Sequence, residues 1–292
     1  MIFLKNAIII LNLLFFITPT SAQSIHTIAK VNPLLELEIN TKTLGLKGQI
    51  AEMQEHQFVI NEQGHTINDS ASISNLYRFD QNGLTKEIEE TLRNLESKKK
   101  FFSYTNKGLI SHIDIETTRF SNNIDAHDSI TSTAIEPDFS TLDYKYVQKK
   151  NILFKGEDYA VNLPKKITTR KEYFYHFNDK NQIFQIVNQD IDSATQYSYD
   201  ANGLVTETRI LKSGILSHKN IYRYDNSKKL VRITTIKADN NTKLPNEETL
   251  FIYKLDTNGN IVEKKAKTYV YSPKGTKRFT EGYLYLYNYI YL

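Results

Sequence analysis

The side chains that could do chemistry in this 292-residue chain are carboxylates, histidines and many tyrosines. The chain has no cysteine, which excludes disulfides, thiol nucleophiles and thiolate metal sites. The seven histidines are scattered, and the densest metal-ligating segment is Asp125-Ala126-His127-Asp128, whose oxygen and imidazole groups suit a divalent cation. Because the surrounding segment is strongly polar, we interpret these side chains as solvated and predict no metal and no cofactor.

Two segments place carboxylates two residues apart, Asp190-Ile191-Asp192 and Glu87-Ile88-Glu89-Glu90. In a strand this spacing puts both side chains on one face. A glycosidase instead needs two carboxyls on opposite sides of a bond, about 5–10 Å apart. The chain also lacks a Gly-x-Ser-x-Gly elbow, a phosphate-binding loop and a dinucleotide fingerprint. We therefore predict that the protein is not an enzyme.

Tyrosine rows are the remaining candidates for a binding surface. The chain has 19 Tyr, 15 Phe and no Trp, and many of these aromatic residues are spaced by two. Exposed rows would stack on sugar rings or anchor a protein partner, whereas buried rows would form cross-strand ladders that hold a sheet together. The candidate binding residues are Tyr173, Tyr175, Tyr283, Tyr285 and Tyr287.

A repeated strand–turn–strand unit must position these rows. Its clearest copy, residues 196–209, has alternating aromatics, then Asp-x-Asn-Gly, then alternating aliphatic and polar residues. Further copies occupy residues 77–88, 102–115 and 253–261. Asn-Gly predicts a two-residue hairpin turn with positive φ, and the Asp is placed to accept bonds from turn amides. Since one hairpin is marginally stable in water, the copies must pair edge to edge.

The predicted fold is all-β, an antiparallel array of β-hairpin (YD-like) repeats that forms a curved open sheet or a loosely closed barrel. We expect the repeat domain to cover residues 44–292, with a loose leader or short first strand over residues 23–43. Residues 117–140 are rich in Thr, Ser, Asn and Asp and predict a long polar loop. Residues 86–100 have apolar residues at helical spacing but follow a glycine turn, so we predict strand with a polar turn in its second half.

Residues 1–22 have the pattern of a secretory signal peptide, with Lys5, an apolar run and the small residues Thr20-Ser21-Ala22. The apolar run is too short for a spanning helix, so we expect export to the periplasm or the medium and no membrane span afterwards. Because the chain has no cysteine, we expect no lipoprotein anchor. The formal charge is only +4 and the lysines are dispersed, which excludes a nucleic-acid groove.

The Tyr-Asp-x-Asn-Gly-Leu segment at residues 199–204, with its looser copies between residues 77 and 261, resembles the YD-repeat (Rhs-like) family. The resemblance implies an exported β-structure built for wrapping, display or contact. The chain is similar to small secreted members without a toxin domain. We expect an interaction or structural module with a protein or glycan partner at the bacterial cell envelope; the alternative is a glycan-binding module that uses the tyrosine rows. Charged segments such as residues 206–209 and 263–267 argue against an outer-membrane barrel, because they leave no lipid-compatible face.

Overall fold

A computed structural model describes residues 29–93, 95–124, 130–161, 166–238 and 245–292. The predicted signal peptide and the Asp125–Asp128 segment lie outside these residues. A 3-10 helix, Pro33–Glu36, and a one-turn helix α1, Thr41–Leu44, precede a series of strands. In the described part of the chain, no helix is long and apolar enough to cross a membrane.

The strands follow one another along the chain. They are β1 (Ile50–Val59), β2 (Ile73–Phe79), β3 (Thr85–Leu92), β4 (Glu96–Tyr104), β5 (Ile110–Ile124), β6 (Ile130–Ala134), β7 (Asp138–Lys149), β8 (Ile152–Val161), β9 (Lys166–Phe177), β10 (Ile183–Asn188), β11 (Ser193–Tyr199), β12 (Val205–Lys212), β13 (Ile215–Tyr224), β14 (Leu230–Lys237), β15 (Glu247–Leu255), β16 (Ile261–Tyr271) and β17 (Lys277–Tyr291).

Antiparallel pairing of neighbours closes these strands into a barrel. β1 pairs with β2 on one side and with β17 on the other, so the sheet has no edge between its first and last strands. Among the described strands β6 pairs only with β5, while β5 also pairs with β7, which leaves 16 strands in the ring. The prediction of an all-β hairpin array closed into a barrel is confirmed, and the open-sheet alternative is wrong.

The polar segment 117–140 is largely strand, which corrects the prediction of a long loop. Residues 117–124 extend β5, and the β5–β6 hairpin pairs Phe120 with Ala134 and Ile124 with Ile130. Thr suits a pleated, half-solvated surface, so a Thr-rich polar segment can pair without a hydrophobic face. Over residues 86–100, the predicted strand interpretation is confirmed, because β3 and β4 occupy this segment with a short turn between them.

The segment 29–49, which we call the N-terminal plug, fills one end of the barrel. Its carbonyls accept backbone bonds from strands spaced around the ring: Leu37 from Ile110 at 2.9 Å, Ile39 from Thr85 at 3.1 Å and Ala29 from Leu230 at 2.8 Å. Only a segment inside the ring can reach β5, β3 and β14 together. All three apolar clusters of the core include plug residues.

This packing corrects the expectation of a loose leader over residues 23–43 in its described part, residues 29–43. Leu37 is 2 % exposed, and Asn40 and Thr43 form a reciprocal capping box at the start of α1. The segment has no sustained period because its apolar residues face different walls of the barrel in turn. A sequence pattern detects one buried face, and the plug has several.

The repeated turns all lie at the plugged end. In the copy at residues 200–204, Asp200 accepts the Gly203 amide at 3.1 Å, and its Oδ1 accepts the amides of Asn202 and Leu204 at 2.9 Å. Gly203 alone has positive φ, +78°. The prediction that Asp caps the turn amides is confirmed. The prediction of a two-residue Asn-Gly turn is wrong, because the chain uses a longer turn that ends in a glycine bulge.

The bulge after each turn explains the recurring tyrosines. The bulge shifts the backbone hydrogen-bond register at the first residue of the strand that follows the turn. The carbonyl of that first residue accepts a hydrogen bond from a tyrosine hydroxyl on the next strand of the ring. Six such bonds, between 2.5 and 2.9 Å, run from Tyr104 to Thr85, Tyr146 to Ile110, Tyr199 to Ile183, Tyr224 to Val205, Tyr253 to Leu230 and Tyr289 to Ile261. We call this set the tyrosine ladder.

Candidate functional site

The inner wall of the barrel beyond the plug is the candidate site. A barrel of 16 strands is too wide for its own wall side chains to fill. Inward-facing Glu55, Tyr77, Lys264 and Tyr285 are accordingly only half-buried. The wall therefore encloses a lumen that water reaches, and its lining combines phenol rings with charged groups.

The five predicted binding tyrosines all face this lumen and not the outer surface. Tyr175, Tyr287 and Tyr173 are buried, with 0 %, 2 % and 8 % of their surface exposed, while Tyr283 and Tyr285 are half-buried. The structure brings them together in two groups, one on β9 and one on β17. Of the two alternatives for the tyrosine rows, exposure on the outer face does not occur for these five residues. Closure of the ring puts the tyrosine-bearing faces of β9 and β17 inside.

The first group surrounds the ammonium of Lys155. Its Nζ lies 4.7 Å from the ring centre of Tyr173, 4.9 Å from that of Tyr144 and 5.8 Å from that of Tyr175. A carboxylate oxygen of Glu157 lies 3.7 Å from Nζ, and the Glu36 carbonyl lies 3.5 Å away. These contacts fit a lysine held by aromatic faces and an ion pair.

The plug takes part in this group. The Tyr175 hydroxyl donates to the Glu36 carboxylate at 2.8 Å. Burial raises the pKa of Glu36, and the charge of Lys155 opposes this rise. Burial also lowers the pKa of Lys155, and the charges of Glu36 and Glu157 oppose that fall. The group thus fastens the plug to β8 and β9, and its charges are already satisfied.

The second group surrounds the ammonium of Lys264. Its Nζ lies 4.1 Å from the ring centre of Tyr285 and 5.9 Å from that of Tyr287. Burial lowers the pKa of Lys264, and the charge of Glu55 opposes that shift. Burial also raises the pKa of Tyr285 and Tyr287, so both phenols stay protonated and can donate hydrogen bonds.

The paired carboxylates of the two acidic segments lie in separate contacts. Glu87 and Glu89 face outward, where Glu87 lies 2.6 Å from Arg78 and Glu89 lies 4.0 Å from Lys99. Asp190 accepts a backbone amide, that of Glu172, at 2.8 Å. No group of three or more His, Cys, Asp or Glu able to hold a metal occurs within the described residues.

Sequence reasoning did not single out Lys155 or Lys264. The only sequence feature that could have indicated them is their place in the two-residue alternation of their strands. Many other lysines of the chain occupy similar places. It also missed His112, whose Nδ1 lies 2.6 Å from Asp143 and whose Nε2 lies 2.9 Å from Asp114 on the outer face. That contact depends on the pairing of β5 with β7.

A groove of about 620 Å³ opens at the plugged end, between the plug and the repeated turns. Its lining includes Lys30, Lys42, Lys47, Lys228 and Lys229, with Glu38 as its carboxylate. The plug lysines and the turn that follows β13 thus make the lining of this groove basic.

Comparisons with known proteins find a likeness in solved structures only. No protein-family model matches the chain, and no curated protein matches it. A porin-like protein from Bacteroides uniformis aligns with 84 % of this chain and 98 % of its own, at 10 % identity and a TM-score of 0.35. One from Bacteroides vulgatus aligns with 83 % and 99 %, at 12 % identity and a TM-score of 0.28. At TM-scores below 0.5 this likeness carries no argument about the present chain.

Proposed function

We propose that this protein is an exported, non-enzymatic barrel that works in water, at the cell envelope or in the secreted fraction, as an interaction or structural module. The secretory pattern of residues 1–22 supports export. The repeated turn, with its Asp acceptor and its tyrosine ladder, supports the interpretation of the chain as a small YD-like repeat protein.

The observation that carries the proposal is the ionic character of the outer face. Arg78 on β2 lies 3.5 Å from Glu52 on β1 and 2.6 Å from Glu87 on β3. On the far side of the ring, Asp158 on β8 lies 2.6 Å from Arg170 on β9. Asp158 and Arg170 stand in the middle of their strands, where a lipid-facing barrel has an apolar band, and the Arg78 cluster lies nearer the plugged end.

Two further clusters lie on β14 to β17. Glu248 on β15 accepts Lys277 at 2.7 Å and lies 3.4 Å from Arg232. Lys254 lies 2.7 Å from Glu263 on β16. An Arg or Lys at the midplane of a bilayer costs about 2–4 kcal/mol, and this barrel would bury many of them. Water is the solvent that its outer face fits.

The test is the behaviour of the mature chain, residues 23–292, without detergent. We expect a monodisperse species in buffer that does not float with liposomes and does not release a trapped dye from them. When expressed with residues 1–22, the protein should fractionate with the periplasm or the medium. A requirement for detergent, or flotation with liposomes in 1 M salt, would overturn the proposal. The matched control is a variant that combines Glu52→Leu, Arg78→Leu and Glu87→Leu, and we expect it to show increased flotation.

A second candidate function, glycan binding, is favoured by one observation. Tyr283 and Tyr285 have half-exposed rings in the lumen, 6.3 Å apart and tilted by 49°. Phenol faces of this kind pack against the flat, apolar faces of sugar rings. Binding of soluble oligosaccharides to the purified mature chain tests this function, and the absence of binding across a broad glycan panel would eliminate it.

A further inference from the structure

The groove between the plug and the repeated turns is lined by lysines: Lys30, Lys42, Lys47, Lys228 and Lys229. Among the described residues, no carboxylate oxygen lies within 4 Å of the ammonium groups of the last four. Lysines of the outer face differ, since Lys254 and Lys277 each lie 2.7 Å from a carboxylate. Lys42, Lys47 and Lys228 are exposed, so the groove is open to a ligand.

The carboxylates around the groove offset only part of this charge. Glu38 belongs to the lining; burial raises its pKa, and the charge of Lys42 opposes this rise. Three turn aspartates lie next to the groove and accept turn amides: Asp200, Asp225 and Asp256. Amide bonds, chiefly from Leu204, hold the pKa of Asp200 below its usual value, and the charge of Lys228 adds to this effect. These aspartates act from outside the lining, in which five lysines still face one glutamate.

The backbone of Lys228 has a conformation that lysine rarely adopts. Lys228 is the fourth residue of the turn 225–229, and its φ is +62°. Four other copies of the turn have glycine at this position, with φ between +78° and +81°: Gly83, Gly108, Gly203 and Gly259. A positive φ disfavours a residue with a Cβ, and strain of this kind is concentrated at functional sites. A lysine where glycine would be unstrained indicates a role for its side chain.

A buried side chain fixes Lys47 over the turn that follows β15. Asn260 is 3 % exposed; its Oδ1 accepts the Lys47 amide at 2.7 Å, and its Nδ2 donates to the Lys47 carbonyl at 2.9 Å. The Lys47 ammonium lies beside Gly259, where an added Cβ would be 2.6 Å from Nζ. In three other copies of the turn the residue equivalent to Asn260 is leucine: Leu84, Leu109 and Leu204. The turn after β15 thus uses a polar residue that positions a plug lysine.

The rest of the lining suits a sugar better than a protein or a nucleobase. Within the described residues it has no arginine and one aromatic residue, Tyr199, whose hydroxyl already bonds the Ile183 carbonyl. Aromatic residues and arginine usually anchor protein partners, and aromatic faces stack on the bases of single strands. Asn181, Gln182 and Asn202 line the groove instead, and their amides can donate to and accept from sugar hydroxyls.

We propose that this groove binds a phosphorylated saccharide, with its phosphates on Lys47 and Lys228 and its hydroxyls on the amides. Arginine is usual where an anion is held in a fixed bidentate geometry, whereas lysine binds phosphate as a point charge. A phosphate monoester carries a charge of about −1.5 to −2 at pH 7, so it gains more from clustered lysines than a carboxylate does. The inference rests on the proposed interaction function and names a partner class for it.

The experiment measures binding of three dextrans of equal length to the mature chain by isothermal titration calorimetry: phosphorylated, carboxymethylated to the same density, and unmodified. We expect phosphorylated dextran to bind at least about tenfold more tightly than unmodified dextran and more tightly than carboxymethyl dextran. Sodium chloride at 1 M should abolish binding, because the Debye length there is about 3 Å. Flotation at low salt with phosphatidylcholine vesicles that contain monophosphoryl lipid A, a phosphorylated disaccharide, distinguishes a lipid-linked saccharide from a free one, and either source supports the proposal.

Variants at Lys228 separate binding from stability. Lys228→Gly should weaken the binding of phosphorylated dextran about twofold to fivefold, while it raises the urea midpoint because glycine relieves the positive φ. Lys228→Gln keeps the strain and should weaken binding equally. Lys47→Gln should have a similar effect, and the double variant Lys47→Gln with Lys228→Gly should show the product of the two factors. The matched control is Lys145→Gln, which removes an exposed outer-face lysine 3.6 Å from Asp158 and should leave binding unchanged.

Three outcomes overturn the proposal. Equal affinity for phosphorylated and unmodified dextran, or binding of neither dextran nor the lipid A vesicles, would refute phosphate recognition. Tighter binding of carboxymethyl dextran or of oligothymidylate would assign the groove to another polyanion. Unchanged affinity in the double variant would place the site elsewhere on the barrel. None of these results bears on whether the barrel works in water, which the experiment with liposomes that lack lipid A tests separately.

Discussion

Replacing Tyr199 with phenylalanine isolates the contribution of one bond in the tyrosine ladder. The Tyr199 hydroxyl donates to the Ile183 carbonyl at 2.5 Å, and Ile183 is 1 % exposed. Between Ile183 and Gln185 the register with β9 shifts, so this carbonyl lies where the regular ladder is interrupted. Phenylalanine keeps the ring and its packing and removes only the donor. A buried acceptor left without a partner costs about 1–3 kcal/mol.

The assay is urea unfolding of the mature chain, followed by circular dichroism and tyrosine fluorescence. With a urea slope near 3 kcal/mol/M, that loss of stability lowers the midpoint by about 0.3 to 1 M at an unchanged slope. The matched control is Tyr283→Phe, because the Tyr283 hydroxyl donates to the exposed Glu281 carboxylate at 2.9 Å. That change should cost less than about 0.5 kcal/mol.

Equal costs for Tyr199→Phe and Tyr283→Phe would refute the reasoning, since the ladder bond would then matter no more than a surface contact. Tyr289→Phe provides a second check. Its hydroxyl bonds the Ile261 carbonyl at 2.7 Å, six strands away from the Tyr199 bond. Because the two bonds share no partner, the double variant should lose the sum of the single losses.

Three further predictions concern the plug, the turns and pH. Leu37→Ala should lower the free energy of unfolding by about 2–5 kcal/mol, measured in urea, because Leu37 is 2 % exposed in the core; a loss below 1 kcal/mol would mean that the plug packs loosely. Gly203→Ala should destabilise the barrel, because the φ of Gly203 is +78° and an added Cβ would lie 3.0 Å from Gln182. Lys228 stands at the equivalent position of its own turn with φ +62°. Lys228→Gly should therefore stabilise the barrel by up to about 1 kcal/mol. Partial burial lowers the pKa of His112, but its bonds to Asp114 and Asp143 raise it overall above 6.5. Stability from this group is therefore fully present below pH 6.5 and lost as pH rises through the raised pKa; His112→Gln should reduce the stability difference between pH 5.5 and 8.5, and an unchanged difference would exclude this role.

The repeat unit shows how much of the fold could be predicted from local sequence. Alternation over residues 196–209 identifies strands, and Asp200 with Gly203 identifies the turn, because these preferences act between residues at most four apart. The same argument assigned β3 and β4 correctly. It failed over residues 117–140, where polar composition was taken for a loop although cross-strand pairing holds Thr-rich strands together.

The tyrosine spacing illustrates the boundary between local and tertiary information. The two-residue period shows that Tyr283, Tyr285 and Tyr287 share a face, as do Tyr173 and Tyr175. It does not show which face lies inside, since an open sheet could expose either one. The candidate site could therefore be predicted as a set of aromatic residues, and its location in a lumen could not.

The sequence by itself determined the hairpin array, the Asp-capped turns and the alternation of aromatic residues, because each depends on near neighbours along the chain. Only the tertiary structure decided the closure of the ring, which requires β1 to pair with β17 from the other end of the chain. Closure in turn creates the inside that the plug fills, and it places Lys155 and Lys264 on opposite walls with different partners. Such a difference depends on which strands become neighbours, and no local pattern of residues records that.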